Sequence, residues 1–164
     1  MDTLLPLAET AGRKLRARGE TIGVAESSSG GLIAAALLAQ AGASAYFRGG
    51  GVIYTAQARS GLLGLPTPLP APVERASTEA YAILLADTAR QRLDATWGIG
   101  ETGATGPTGN RYGDAAGHCC IAVTGPVTKV ITIETGSEDR VANMRVFAKR
   151  ALELLVEVLG EGKP

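Results

Sequence analysis

A strand, a glycine-rich turn and a helix follow one another between residues 21 and 41, and this order leaves few folds open. The first segment, TIGVA at 21–25, is short and apolar, as a buried strand is. ESSSGG at 26–31 follows it, and LIAAALLAQA at 32–41 is rich in strong helix formers and stops before Gly42. Units of this kind build parallel sheets with helices packed on their faces. The segment therefore predicts an α/β fold.

The rest of the chain predicts four further strands and the helices that cover them. The strands are expected at 50–55, 95–101, 118–123 and 127–134. The first helix is expected to begin after Asp2 or Thr3, either of which could cap it, and to end at Gly19. A second helix is expected from Gln57 to Leu63. Two more are expected, one capped by Ser77 and one from Ser137 onward. The turn Thr124-Gly125-Pro126 separates the last two strands, which predicts an antiparallel hairpin.

These elements predict a single domain over residues 1–164, because 164 residues is close to the roughly 150 typical of one domain. The expected fold class is α/β: a three-layer α/β/α sandwich with a mixed, mostly parallel five-stranded sheet. Five strands and their helices fit into three such layers without a second domain.

Charge and composition exclude several classes of partner. The chain has 16 Lys and Arg residues and 16 Asp and Glu residues, so its net charge of 0 attracts neither nucleic acid nor an anionic membrane. Aromatic residues make up only 4%, too few for stacking platforms on single-stranded nucleic acid. The longest apolar run, at 32–39, is far shorter than the about 20 residues that span a membrane, and the N-terminus lacks the pattern of a signal peptide. We therefore expect a soluble protein that binds neither nucleic acid nor membranes.

The cysteines and the single histidine limit redox and metal chemistry. Cys119 and Cys120 are neighbours and cannot link distant parts of the chain, so we expect a reducing cytoplasm as the location. His118 precedes them, and adjacent strand residues face opposite ways, which argues against a dyad of His118 and Cys119. With one histidine, no CxxC motif and no cluster of acidic residues, we predict no metal site.

Open α/β sheets bind ligands outside the carboxyl ends of their parallel strands, and one loop there is rich in hydroxyls. Residues 26–31 place three serines, one carboxylate and two glycines at a helix N-terminus, where free N–H groups suit a phosphate, a carboxylate or an oxyanion. The loop lacks the lysine of a phosphate-binding loop and the Gly-x-Ser-x-Gly spacing of a nucleophile elbow. Helix capping by one serine is the alternative explanation.

Two further loops are expected at the same edge. Residues 102–109, TGATGPTG, combine close backbone approach with three hydroxyls, and Arg111 could close over an anion; a flexible surface loop with a solvated arginine is the alternative. Residues 48–59 bring Tyr54 to the end of a strand and Arg59 one turn into the next helix. The alternative there is a half-buried tyrosine and a surface arginine.

Together these three segments resemble the CinA C-terminal domain family over nearly the whole chain. AESSSGG at 25–31 corresponds to the family's Ala-Glu-Ser-Cys-Thr-Gly-Gly, and GASAYFRGG follows at 42–50. Tyr54, Ala58 and the LGL at 63–65 come next in the expected order. TGATGP at 102–107 corresponds to the family's Thr-Gly-x-Ala-Gly-Pro.

The resemblance implies hydrolysis of the carboxamide of nicotinamide mononucleotide, in the pyridine nucleotide cycle that salvages NAD. The products are nicotinic acid mononucleotide and ammonia. It implies no metal or organic cofactor, a nucleotide as the small-molecule partner, and a homo-oligomer. By the same resemblance Ser27 is the nucleophile. The other two expected catalytic residues are Tyr54 and Arg59, the latter as an electrostatic partner of Ser27. The resemblance and the loop chemistry together give the expected substrate-binding residues: Glu26, Ser29, Gly30, Gly31, Thr102, Gly103, Thr105, Gly106 and Arg111.

One departure from the family bears on catalysis. The family pairs its serine with a lysine in Tyr-Ser-x-x-x-Lys, whereas residues 54–59 here read YTAQAR, with Arg59 in place of the lysine. Bringing a lysine pKa from about 10.4 to neutrality costs on the order of 4 kcal/mol, and the same for an arginine costs roughly 8 kcal/mol. Arg59 is therefore expected to stay charged and to hold an anion or stabilise an oxyanion. His118 and Glu26 are the other candidate bases.

This departure leaves two functions open. Losing a positioned general base removes about 10² to 10⁴ of rate, so a catalytically silent nucleotide-binding domain is the alternative to an active amidohydrolase. A role as an accessory in competence or DNA repair follows only from the family's name, and zero net charge with few aromatic residues argues against direct DNA contact.

Overall fold

The computed structural model describes residues 1–161, so residues 162–164 of the predicted domain lie outside the described residues. The strands are β1 (Ile22–Glu26), β2 (Phe47–Val52), β3 (Trp97–Gly103), β4 (His118–Thr124) and β5 (Lys129–Glu134). The helices are α1 (Leu5–Arg18), α2 (Leu32–Leu38), α3 (Ala56–Leu63), α4 (Glu79–Arg92) and α5 (Arg140–Glu161). A single 3₁₀ turn, Ala43–Ala45, precedes β2.

The strands form one five-stranded sheet in the order β2-β1-β3-β4-β5. β1 lies between β2 and β3 and runs parallel to both. β4 runs antiparallel to β3 and β5 antiparallel to β4, so four of the strands point the same way. The mixed, mostly parallel sheet predicted from the sequence is confirmed. The carboxyl ends of β1, β2 and β3 meet at one edge, where open sheets bind ligands.

Helices cover both faces of the sheet, which confirms the three-layer α/β/α sandwich. Helices α1, α2 and α5 contact one another and form the layer on one face, over a core that includes Val24, Ile99 and Ile121. Helix α4 lies on the other face, with α3 beside it, and packs on Ala25 and Ala122. Because successive strand residues point to opposite faces, each buried strand contributes to both cores.

Two helix starts differ from the predicted ones. The N-cap of α1 is Leu4, which makes no side-chain cap hydrogen bond, so neither Asp2 nor Thr3 caps this helix. The cap of α4 is Thr78, whose hydroxyl accepts the N–H of Tyr81 at 3.2 Å. Ser77 precedes it in the left-handed conformation, φ 57°, whereas a helix N-cap typically has the extended backbone that Thr78 shows here. Composition marks these starts to within a residue or two, and the backbone turn selects the exact cap.

Other boundaries shift by a few residues. β2 begins at Phe47 and not at 50, because its glycines pair with β1. Helix α5 begins at Arg140, and Asp139, not Ser137, accepts the N–H of Ala142 in its first turn. Within residues 1–161, no helix combines the length and the apolar character needed to cross a membrane.

Candidate functional site

A cavity of about 590 Å³ opens at the carboxyl ends of β1 and β3, within the range typical of small-molecule sites. Three tyrosines contribute to its wall, Tyr54, Tyr81 and Tyr112, of which sequence reasoning named only the first. Six of the predicted site residues line the same cavity: Ser27, Tyr54, Arg59, Thr102, Gly103 and Arg111. The structure therefore brings residues from all three predicted loops to one place.

The turn that carries Ser27 is held from below by Glu101, the carboxylate near the end of β3. Glu101 Oε2 accepts the backbone N–H groups of Ser27 and Ser29, each at 2.9 Å, and the Ser29 hydroxyl at 2.8 Å. Its Oε1 accepts the Ser28 hydroxyl at 2.7 Å. The Ser27 hydroxyl itself makes no hydrogen bond with any other residue in the range 1–161 and lines the cavity. Glu101 thus orders the turn and leaves the Ser27 oxygen free for a ligand.

Sequence reasoning missed Glu101, although the strand pattern contains a signal for it. Trp97, Ile99 and Glu101 alternate along β3 and so share one face of the sheet. The first two are buried under α1, α2 and α5, so the third places a carboxylate in an apolar layer. A buried carboxylate requires hydrogen-bond donors, and the Ser27–Ser29 turn supplies them.

Glu26 is equally buried and binds the start of α2 rather than the cavity. Its Oε1 accepts the N–H of Ala34 at 2.9 Å, and its Oε2 accepts the N–H of Ile33 at 3.1 Å. The Ser29 hydroxyl lies 2.6 Å from the same Oε2. Burial raises the pKa of Glu26, and the nearby Glu101 raises it further, while the hydrogen bonds offset part of this rise. Glu26 is therefore a helix-capping group with no exposed atom.

Gly30 and Gly31 are also absent from the cavity wall. Glycine is needed at these two positions because of the backbone conformation. Both adopt positive φ values, 67° and 98°, where glycine is favoured. A Cβ on Gly30 would lie 2.6 Å from the Met144 side chain of α5. With the Ser29 N–H already bound to Glu101, the predicted anion hole at 29–31 is occupied in part by the protein's own carboxylate.

Helix α5 ties the loop after β3 to Tyr54. Arg140 Nη1 donates to the carbonyl of Gly106 at 2.8 Å, and Nη2 donates to the Tyr54 hydroxyl at 3.2 Å. The Asn143 side chain donates to the carbonyl of Thr105 at 2.8 Å. Thr105 and Gly106, both predicted to bind substrate, therefore contact α5 through their carbonyls and do not line the cavity. Arg140 is a second residue that sequence reasoning missed, since it lies 86 residues from Tyr54.

Arg59 reaches the cavity from α3. Its Nη2 donates to the Thr67 hydroxyl at 2.6 Å. Its Nε is buried without a hydrogen-bond partner in the part of the chain described. Burial raises the pKa of Tyr81, and the neighbouring Arg59 offsets part of that rise. Arg59 therefore brings a positive charge to the cavity wall, while its Nε–H stays buried.

The opposite rim carries a second guanidinium stacked on an aromatic ring. Arg111 lies 5.0 Å from the centroid of the Tyr112 ring, and Arg75 lies 5.2 Å from it. Arg75 also forms a two-pronged ion pair with Asp114, at 2.6 and 3.2 Å. That hydrogen-bonded pair holds the pKa of the Asp114 carboxyl below its usual value. These contacts order the loop between β3 and β4 and keep Arg111 at the cavity rim.

His118 lies behind the cavity and does not line it. Its Nδ1 pairs with Glu134 across the β4–β5 ladder, and its Nε2 lies 3.1 Å from the carbonyl of Ser77. Cys119 points to the opposite face, as the strand alternation predicts. Across residues 1–161, no three His, Cys, Asp or Glu side chains come together in a group that could hold a metal ion.

Comparison with known sequences identifies one family. Residues 4–159 match the CinA C-terminal domain family. A CinA-like protein of Anaeromyxobacter sp. strain Fw109-5 is 39% identical over 144 residues, which is 87% of this chain and 34% of that protein. A CinA-like protein of Desulfosudis oleivorans is 36% identical over 155 residues, 94% of this chain and 37% of that protein. The chain therefore spans about a third of the length of these relatives.

Solved structures share the whole fold. A competence-damaged protein (CinA) superfamily protein from Klebsiella pneumoniae superposes with a TM-score of 0.88 at 27% identity, covering 97% of this chain and 99% of that chain. The competence/damage inducible protein CihA from Agrobacterium tumefaciens gives a TM-score of 0.86 at 27% identity, covering 97% and 96%. Both matches extend over the sheet and both helical layers.

Proposed function

The chain belongs to the CinA C-terminal domain family, and from that membership we propose that it is an amidohydrolase acting on the carboxamide of nicotinamide mononucleotide. The observation that carries the proposal is the shared cavity of Ser27, Arg59 and Arg111. It combines a free hydroxyl, two guanidinium groups and a volume suited to a mononucleotide. The products are nicotinic acid mononucleotide and ammonia.

Ser27 is the proposed nucleophile. Its Oγ attacks the carboxamide carbon, a C–O bond forms, and the carbonyl oxygen becomes an oxyanion. When this intermediate collapses, the C–N bond breaks, and the serine proton leaves with the nitrogen as ammonia. Water then cleaves the acyl ester, which frees the carboxylate product and restores the Ser27 hydroxyl.

The charges around the cavity support an anionic substrate. Arg59 and Arg111 offer guanidinium donors suited to a phosphate or an oxyanion. The rings of Tyr54, Tyr81 and Tyr112 offer apolar surface to a pyridine ring. Thr102 and Gly103 complete the floor at the end of β3.

Binding without turnover is the second candidate function, and one observation favours it. No basic side chain hydrogen-bonds to the Ser27 hydroxyl within residues 1–161, and Arg59 is a poor proton acceptor. A domain with this cavity and no base would hold the nucleotide and leave its amide intact.

Ammonia release separates the two candidates. The purified protein is incubated with nicotinamide mononucleotide beside Ser27→Ala and, as a matched control, Ser60→Ala on the exposed side of α3. We expect release by the wild type and the control, and release at background by Ser27→Ala, because the nucleophile is gone. Binding of the nucleotide is measured in parallel by calorimetry.

Each other outcome has a defined meaning. Binding without release by the wild type would establish the silent domain in place of the amidohydrolase. Turnover that survives in Ser27→Ala would remove Ser27 from the nucleophile role. A wild type that neither releases ammonia nor binds the nucleotide would contradict both candidates.

A further inference from the structure

The turn that carries Ser27 rests on two buried carboxyl groups that share one hydroxyl. Glu26 from β1 and Glu101 from β3 are both 0% exposed. The Ser29 hydroxyl lies 2.6 Å from Glu26 Oε2 and 2.8 Å from Glu101 Oε2. Both distances are those of O–H···O hydrogen bonds.

The number of hydrogens available limits the combined charge of the Glu26 and Glu101 carboxyl groups. A hydroxyl has one hydrogen and can donate it to only one of the two oxygens. For both short contacts to be hydrogen bonds, the other carboxyl must itself carry a proton and donate it to the Ser29 oxygen. Two ionised carboxylates facing one hydroxyl would leave one contact repulsive. The geometry therefore requires one proton more than the hydroxyl supplies.

The surroundings provide no positive side chain that could replace this proton. Within residues 1–161, no Lys, Arg or His side chain bonds to Glu26 or to Glu101. The other titratable group that meets them is Cys119 from β4, 3.5 Å from Glu101 Oε1. Helix α2, which covers the turn, has the sequence LIAAALL and contributes no charge. Two buried ionised carboxylates without a countercharge are very costly, and holding a proton removes one charge.

The donors identify which carboxyl is ionised. Glu101 accepts two backbone N–H groups and two hydroxyls, all from residues 27–29. Apart from its contact with the Ser29 hydroxyl, which is the shorter of the two, Glu26 accepts two N–H groups, those of Ile33 and Ala34. With the proton on Glu26, Glu26 donates to Ser29 and Ser29 in turn donates to Glu101, so that each short contact contains one hydrogen.

We propose that Glu101, kept ionised by one proton that Glu26 retains through Ser29, is the residue that positions Ser27 for attack. This inference rests on the proposed amidohydrolase function for its kinetic part only. Glu101 holds the Ser27 and Ser29 N–H groups and does not touch substrate, so it acts through the turn. Burial, which raises the pKa of Glu26, agrees with the same distribution of charge.

The proton is tested by infrared spectroscopy at neutral pH, with or without enzymatic activity. We expect the wild type to show the carbonyl stretch of a protonated carboxyl group, shifted in D₂O. Glu26→Gln should lack this band, and Glu9→Gln, an exposed control on α1, should keep it. A wild type with no protonated carboxyl band at neutral pH would overturn the proposal.

The positioning role is tested by NMR of the backbone amides. In the wild type the Ser27 and Ser29 amide protons should resonate far downfield, because each donates to a carboxylate. Glu101→Gln should move both resonances upfield, since an amide oxygen is the weaker acceptor. Glu26→Gln, which keeps a donor toward Ser29, should leave both nearly in place. Equal upfield shifts in the two variants would refute the assignment of the charge to Glu101.

The kinetic arm uses the same two variants, with folding checked by circular dichroism. For Glu101→Gln we expect kcat to fall about 10²-fold with KM nearly unchanged, because a displaced nucleophile slows the chemical step. The fall of kcat in Glu26→Gln should be clearly smaller. Glu101→Asp, which keeps a carboxylate, should have a higher kcat than Glu101→Gln. A loss of kcat in Glu26→Gln as large as that in Glu101→Gln would contradict the proposal. A wild type without turnover would instead reject the proposed function, and the infrared and NMR results would still decide this inference.

Discussion

Arg59 occupies the position where the family has a lysine, and the two side chains differ in how readily they lose a proton. A guanidinium keeps its proton at neutral pH, so Arg59 cannot accept one from Ser27. It is fixed by its bond to Thr67, and its buried Nε–H has no partner among residues 1–161. Such a group stabilises negative charge, on a phosphate or on an oxyanion.

Arg59→Lys is expected to lower kcat/KM for the amide about tenfold, since a lysine cannot reproduce the planar, two-pronged donor. The measurement is ammonia release at several substrate concentrations, with Arg13→Lys on the exposed face of α1 as the control. A large gain of turnover in Arg59→Lys would instead mean that the natural domain is silent and that the lysine restores a base.

At the scale of elements, the contact between β3 and α4 limits how the cavity floor is built. A Cβ on Gly98 would lie 2.1 Å from the carbonyl oxygen of Ala86, and one on Gly100 would lie 2.0 Å from that of Ala82. The helix backbone thus lies directly on the strand, and only glycine allows this spacing. The close contact places the end of β3, with Glu101 and Thr102, at a defined depth under the cavity.

Gly100→Ala should therefore lower the free energy of unfolding by about 3 kcal/mol, at the upper end of overpacking penalties. The measurement is urea unfolding followed by circular dichroism. Gly61→Ala is the matched control, because a Cβ there meets nothing within 4 Å in α3 and should raise stability by about 0.5–1 kcal/mol. A Gly100→Ala variant as stable as the wild type would mean that the helix can retreat from the strand at no cost.

At the scale of the whole molecule, His118 links three separate parts of the chain. It begins β4, pairs with Glu134 at the end of β5, and approaches the carbonyl of Ser77 before α4. Burial lowers the pKa of His118, but the hydrogen bonds to Glu134 and Ser77 outweigh it and raise the pKa above 6.5. A raised histidine pKa stabilises the fold while the ring is charged. The stabilisation is complete below the unfolded pKa and is lost as the pH rises through the folded pKa.

Glu134→Gln should remove most of this effect. The loss of unfolding free energy relative to the wild type should be largest below the unfolded histidine pKa of about 6.5 and shrink as the pH rises through the folded pKa of His118, above which the ring is neutral in both proteins. Urea unfolding at several pH values measures it. Glu153→Gln, which breaks an ion pair with Lys149 and Arg150 that does not titrate in this range, should show a constant difference. A pH-independent loss in Glu134→Gln would contradict the histidine linkage.

The sequence predicted well those features that depend on neighbouring residues. The alternation of strands and helices, the glycine that ends α1, and the placing of Ser27, Tyr54 and Arg59 around one cavity all follow from local patterns read at the correct sheet edge. The sequence did not reveal contacts whose two partners are distant along the chain. Glu26 and Ser29 carry the right chemistry for a ligand site, but Glu101, 72 residues beyond Ser29, takes the Ser29 hydrogen bonds instead.

By itself, then, the amino-acid sequence determined the order of elements, the α/β class and the family, because periodicity and turn motifs are properties of contiguous residues. Only the tertiary structure decided which polar groups meet. The pairing of β1 with β3 brings Glu26 beside Glu101, and the packing of α5 brings Arg140 to Tyr54. A buried polar group must find its partners in space, and strand adjacency, not sequence distance, determines which ones it finds.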